Sequence, residues 1–148
     1  MKKTTIALLM ASSILLSGCS ALEGVNNTLN YATEASEYAN EATAFGKEVP
    51  DLAKRAVNDE QAAQELETKL EEMKVNIEEF NELEAPEIGA DLHQQVVNQN
   101  NRAMEGIDLY LENIEGGKLN SEVLKNTQAF QSLQEITSII EQIKNLGN

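Results

Sequence analysis

The chain predicts an all-α fold, an antiparallel up-down four-helix bundle. Two observations carry this. Apolar residues recur at steps of three and four through most of the length, which is helical periodicity with one buried face. The composition has no Trp, two Pro and eight Gly in 148 residues, so most of the length lacks helix breakers. An apolar fraction of 41% with regular spacing separates the chain from disordered acidic sequences.

The first 18 residues stand apart from this pattern. Lys2 and Lys3 give a positive start, followed by the uncharged segment IALLMASSILL, Ile6 to Leu16. At about 11 residues it falls well short of the roughly 20 that a helix needs to cross a bilayer. A short positive region, a short apolar core and then small residues is the layout of a secretory signal. It ends Leu16-Ser17-Gly18-Cys19, and Cys19 is the single cysteine.

These four residues resemble the lipobox of bacterial lipoproteins. The resemblance implies cleavage between Gly18 and Cys19, an S-diacylglycerol on the Cys19 thiol and an N-palmitoyl group on the new amino terminus. It therefore implies a chain lipid-anchored on the extracytoplasmic face of the cell membrane. The domain layout that follows is 1–18 as signal peptide, 19–30 as anchored linker and start of the first helix, and 31–148 as helical bundle. With Cys19 joined to lipid, no thiol remains for a disulfide, so stability rests on packing.

Helix one is expected over about Ala21 to Phe45. Tyr31-Ala32-Thr33-Glu34-Ala35, Tyr38-Ala39-Asn40-Glu41-Ala42 and Phe45-Gly46-Lys47-Glu48-Val49 repeat aromatic, small, acidic and apolar positions every seven residues. Seven residues make two turns, so the repeat draws stripes along one helix. Gly46 suits a position just past a helix end, and Pro50 the first turn of the next helix.

Helix two is expected from about Asp51 to Glu84, with Leu52, Ala56, Ala63, Leu66, Leu70, Met73, Ile77 and Phe80 inward. Asn58 or Asp59 can interrupt it, leaving its first turns as a separate piece. Glu60, Glu67, Glu71, Glu78 and Glu82 form the opposite face, and Glu65–Lys69 and Asp51–Arg55 have favourable spacing for ion pairs. Ala85-Pro86 breaks it.

Helix three follows over Glu87 to Ile114, with Leu92, Val96, Ala103, Ile107, Tyr110 and Ile114 inward, and Gly116-Gly117 ends it. Asn120 caps helix four, Ser121 to Leu146, whose seam is Val123, Phe130, Leu133, Ile136, Ile140 and Ile143. The rival architecture is a three-helix bundle with helix one loosely attached, because the alanine-rich helix one has the weakest apolar stripe.

Charge and motifs exclude more than they assign. Two of the 11 basic residues and none of the 25 acidic ones lie in the first 18, which leaves nine against 25 and a net charge of −16. That sign opposes nucleic-acid binding and electrostatic docking on anionic lipid. The only histidine is His93, and Ala90 stands three residues before it, so the Glu-x-x-His pairs of di-iron bundles are missing. No calcium-loop, nucleophile-elbow or phosphate-loop pattern occurs. No enzyme, metal or cofactor is expected.

Beyond the lipobox, the chain resembles small helical lipoproteins of Bacillus-type bacteria, with a Leu83-Glu84-Ala85-Pro86-Glu87 break before a helix carrying Asp91-Leu92-His93. The resemblance implies a membrane-anchored surface protein and transfers no active-site residue. The leading expectation is a non-enzymatic module contacting another envelope protein. Its candidate surface is the Tyr31, Tyr38 and Phe45 stripe, provided helix one is not fully buried, or the acidic face of helix two. The alternative is a ligand-binding or sensing bundle with a polar recess near Asn100, where burial to set helix register is the competing role. Self-association through leftover apolar surface is the third possibility.

Overall fold

A computed structural model describes residues 19–147, with side-chain environments from 26 to 146. The expected signal, residues 1–18, lies outside the described residues. The chain forms α1 (Cys19–Ala56), α2 (Glu60–Asn81), α3 (Ala90–Glu112) and α4 (Gln128–Lys144), with single 3-10 turns at Glu87–Gly89, Ser121–Lys125 and Asn145–Gly147. A two-stranded hairpin, β1 (Ile114–Glu115) and β2 (Lys118–Leu119), joins α3 to the turn before α4.

The up-down order is visible in which residues meet. Tyr31 of α1 lies by Phe80 of α2, while Glu48 meets Lys69, so these helices run antiparallel. Asn81 meets Asn100 and Lys74 meets Asp108, so α2 and α3 are antiparallel as well. Phe45 faces Phe130 near the start of α4. The fold is the expected four-helix bundle, and the three-helix rival fails because α1 packs on both α2 and α4.

The helix boundaries differ from expectation at three places. The first break falls at Val57–Asp59, not at Gly46–Pro50, and Pro50 sits inside α1. A proline in a helix interior loses one backbone hydrogen bond and disfavours helix by about 3 kcal/mol. Opposing that, Val49, Leu52, Ala53 and Ala56 are all buried, in phase with Tyr31, Ala35, Tyr38, Ala42 and Phe45. Burying a Val or Leu side chain contributes about 1.5–3 kcal/mol each, so keeping the stripe continuous outweighs the proline. The chain turns where Asp59 leaves helical geometry and its carboxylate accepts the Ala62 N–H at 3.1 Å.

The second difference is that α3 ends at Glu112 and Gly116–Gly117 make a tight hairpin, with Ile114 opposite Leu119 and Glu115 opposite Lys118. Both glycines have positive φ, 56° and 76°, as a two-residue hairpin loop requires. Ile114, expected inward, is only half-buried there. The third is that the segment expected as one helix from Ser121 is divided. Asn120 caps a 3-10 turn by accepting the Glu122 N–H, and Asn126 accepts the Gln128 N–H, each at 3.0 Å. Such Asn-to-backbone bonds compete with continued helix, so α4 starts at Gln128.

The core matches the expected seams closely. Ala63, Leu66, Leu70, Met73, Ile77 and Phe80 of α2 are buried, as are Val96, Ala103, Ile107 and Tyr110 of α3 and Leu133, Ile136, Ile140 and Ile143 of α4. Leu92 and Phe130 are half-buried. The expected ion pairs are replaced: Lys69 reaches Glu48 across the helix interface, and Asp51 pairs with Lys54.

Helices α3 and α4 approach each other closely at Gly106. A Cβ on Gly106 would stand 2.7 Å from the backbone nitrogen of Ala129 and 2.8 Å from its Cβ, so only glycine lets the two backbones meet. Gly46 is the reverse case, with nothing within 4 Å of its missing Cβ. Gly106→Val is therefore expected to destabilise the bundle by about 2–4 kcal/mol in urea denaturation. Gly46→Ala is expected to stabilise it by about 0.5–1 kcal/mol through helix propensity. Equal effects of the two would contradict the packing described.

Candidate functional site

Each residue singled out from the sequence now has a place. Cys19 is the first residue of α1; its side chain lies outside the described environments. Tyr31, Tyr38 and Phe45 are 2%, 4% and 7% exposed. The aromatic stripe was offered as a contact surface on the condition that helix one be partly free. That condition fails, because Tyr31 and Tyr38 pack on Phe80 of α2 and meet His93 and Asn100 of α3, while Phe45 packs on Phe130 of α4. The other surface considered, the acidic face of α2, is exposed at Glu60, Glu67, Glu71, Glu78 and Glu82.

Asn100 points inward and is 0% exposed. Its Oδ1 accepts the Tyr38 hydroxyl at 2.5 Å, and its Nδ2 donates to Asn81 Oδ1 at 2.6 Å. One amide thus ties α1, α3 and the last residue of α2. With both ends of its side chain paired inside the protein, Asn100 is a register-setting group and not the wall of a recess. Burial pushes the Tyr38 hydroxyl far above its ordinary pKa, so it stays protonated and able to donate.

His93 sits two turns before Asn100 on the same helix, half-buried against the same cluster. Its Nδ1 is 2.9 Å from the Tyr31 hydroxyl, and its ring stacks on Phe80 at 5.1 Å between centroids. Phe80 in turn stacks on Tyr38 at 4.6 Å. Tyr31, Tyr38, Phe80, Asn81, His93 and Asn100 thereby form one aromatic and amide cluster at the end of the bundle where α1 enters it. Asn81 and the central role of Phe80 had no signature in the sequence; a polar residue closing the apolar seam of α2 one position after Phe80 was the available hint.

Electrostatics keep this cluster neutral. Burial lowers the His93 pKa, partly offset by the backbone carbonyl of Asn81. Burial likewise pushes the Tyr31 hydroxyl up to about 12. On the outer surface, burial and then the neighbouring Glu79 and Glu37 raise the Glu41 carboxyl. Among the described residues, no group of three or more His, Cys, Asp or Glu converges as a metal site would need. Also among them, no helix is long and apolar enough to cross a membrane.

Two measurements test the cluster. Tyr38→Phe strands the buried Asn100 acceptor and is expected to destabilise by about 1–3 kcal/mol in urea titration. Combining it with Asn100→Leu is expected to give less than the sum of the single effects; additivity would mean the two side chains act independently. For His93, the folded pKa lies below the unfolded value of about 6.5, so the unfolded chain takes up the proton first as pH falls. The stability that neutral His93 secures is complete above that value and declines toward the folded one. Melting from pH 7.5 to 5 is expected to fall more for the native chain than for His93→Gln. Parallel profiles would show that the ring titrates as if exposed.

With the geometry in place, comparison with known proteins supplies the relationship. The chain is 35% identical over 130 residues to an uncharacterised lipoprotein of Bacillus subtilis (strain 168), YybP, covering 88% of each protein. No solved structure matches the chain. The expected likeness to small helical lipoproteins of Bacillus-type bacteria is thereby met. The pattern of DUF6376, a family of unknown function, spans residues 31–146, from the first buried tyrosine to the end of the bundle. The chain belongs to the DUF6376 family.

Proposed function

We propose that this chain is a non-enzymatic lipoprotein, held on the extracytoplasmic face of the cell membrane by acyl chains on Cys19. In this reading its bundle serves as a structural or protein-interaction module of the cell envelope. The observation that carries it is the lipobox Leu16-Ser17-Gly18-Cys19 immediately ahead of α1, in a chain 35% identical to a lipoprotein. Residues 1–18 act as the signal, and cleavage between Gly18 and Cys19 leaves the lipidated cysteine first. Two or more acyl chains, at about 0.8 kcal/mol per buried methylene, hold a protein on a bilayer durably, where one chain holds it only reversibly.

The first helix then works as a stem. α1 starts at Cys19, and among its described side chains the first buried one is Tyr31. Twelve residues of helix span roughly 18 Å at 1.5 Å per residue. That is about two Debye lengths at physiological ionic strength. At that height a chain of charge −16 meets little repulsion from an anionic bilayer, and repulsion rises only if the bundle leans toward the surface, so the charge opposes its lying down. The acidic face of α2 is then turned to the envelope as the surface for a basic partner.

The ligand-binding alternative loses its site, since Asn100 is fully buried and paired with Tyr38 and Asn81. The test is Cys19→Ser. The variant is expected to leave the membrane fraction or to accumulate with its signal uncleaved. Mature, membrane-held protein from that variant would overturn the proposal.

A further inference from the structure

Tyr31 closes the end of the bundle at which α1 enters. Its ring lies by Phe80 of α2 and His93 of α3, at 6.5 and 5.8 Å between centroids. A Cβ added to Gly89 would stand 3.4 Å from Tyr31 Cε1, 3.4 Å from Leu146 Cδ1 and 3.5 Å from Pro86 Cγ. The ring, the α2–α3 turn and the chain's last turn thus all close on the bare backbone of Gly89. Among the described side chains of α1, none before Tyr31 is buried: Asn26, Asn27, Leu29 and Asn30 are exposed and Thr28 is half-buried. The next buried position is Ala35, and Tyr38 beyond it is bonded to Asn100. Tyr31 is therefore the outermost hold on α1.

That hold includes a hydrogen bond whose partner titrates near neutrality. The Tyr31 hydroxyl is 2.9 Å from His93 Nδ1, and the Asn81 carbonyl favours a proton on the same ring. The tautomer that suits both neighbours carries its proton on Nε2 and accepts from Tyr31 at Nδ1. An imidazolium has no acceptor, so on protonation two donors face each other. The hydroxyl must then turn its own proton elsewhere, and it bonds to no other group among the described residues. No fixed charge compensates. From α1 the ring meets Tyr31, whose phenol burial has pushed up to about 12, and from α2 it meets Phe80 and the Asn81 carbonyl. The carboxylates at this end, Glu34, Glu84, Glu87 and Asp91, are exposed, and none of them acts on the His93 ring. Lys144 of α4 pairs with Glu141 of its own helix.

We propose that the Tyr31–His93 pair is a proton-operated latch: neutral His93 fastens the entry of α1 to the bundle, and protonation of the ring releases that stretch as far as Ala35 while the rest stays closed. Beyond Ala35 the bond from Tyr38 to Asn100 keeps hold of α1, so the opening is local. An unpacked helix of this length is marginal in water, so release exposes its amides. The latch stands on the fold alone. Its effect in the cell rests on the Cys19 anchor: the free stem grows from residues 19–30 to residues 19–34, or from roughly 18 to roughly 24 Å when helical. The bundle is then tethered more loosely at acid pH.

The test is amide hydrogen exchange of the purified full chain at pH 7.5 and 5.5, expressed as protection factors so that the intrinsic pH dependence of exchange cancels. Opened, His93 takes a proton at its ordinary value of about 6.5, and closed, only at a lower one. The opening constant therefore rises as pH falls, by at most about ten-fold over this range. Protection over residues 29–34 is expected to drop by about three- to ten-fold, while that of Leu66 to Ile77 in α2 holds. His93→Gln cannot titrate and is expected to shrink the drop below about two-fold. Tyr31→Phe keeps the ring without the hydroxyl; it is expected to lower protection over 29–34 already at pH 7.5 and to leave a smaller drop. The latch is overturned by unchanged protection over 29–34 in the native chain, or by a drop shared equally with Leu66 to Ile77. A full drop persisting in His93→Gln, or a Tyr31→Phe profile identical to the native one, overturns it as well. The native chain's own contrast between the two stretches decides the matter even where a variant folds poorly.

Discussion

The side chain of Asn100 holds the relative heights of three helices, because it accepts from Tyr38 and donates to Asn81 in a site that water does not reach. Leucine-type seams tolerate sliding by a heptad, since one apolar layer resembles the next. A buried amide with two fixed partners does not, because a shifted register leaves donors and acceptors unpaired at about 1–3 kcal/mol each. Around it the rings of Tyr31, Tyr38, Phe80 and His93 interlock, and the α2–α3 turn follows from where Asn81 must stop. The remaining core is aliphatic and fills in around this polar point.

Much of the architecture was legible in the residues. The three-and-four spacing of α2, α3 and α4 named nearly every buried side chain, and the interior position of Asn100 followed from its distance to Val96 and Ile107. The misplaced first break is instructive. Gly46 and Pro50 are strong local signals, yet Val49, Leu52 and Ala56 continue the stripe of Tyr31, Ala35, Tyr38, Ala42 and Phe45 without a phase change. Where a breaker and an unbroken stripe disagree, core burial summed over several residues outweighs one lost hydrogen bond. The Gly116–Gly117 hairpin and the Asn126 cap were not legible, because each depends on backbone geometry that residue identity permits without demanding. The cluster around Phe80 was hidden for another reason: His93 and Asn81 look like surface residues until the helix ends are placed.

The same structure narrows what the protein can present to its surroundings. The aromatics of α1 are used in the core, and the amide cluster is internally paired. Prominent on the outside are the carboxylates of α2 and of the α1–α2 groove, and a less charged groove between α1 and α4 whose walls include Lys47 and Glu141. The helix before Tyr31 and the strongly acidic bundle after it suit the proposed anchor at Cys19, which would hold the bundle away from the membrane.

The most direct test of this account is the mass and starting residue of the amino-terminal peptide of protein extracted from membranes. The account predicts a peptide that begins at Cys19 and carries a diacylglyceryl thioether. A peptide that begins elsewhere, or a Cys19 thiol free to react with maleimide, would contradict it.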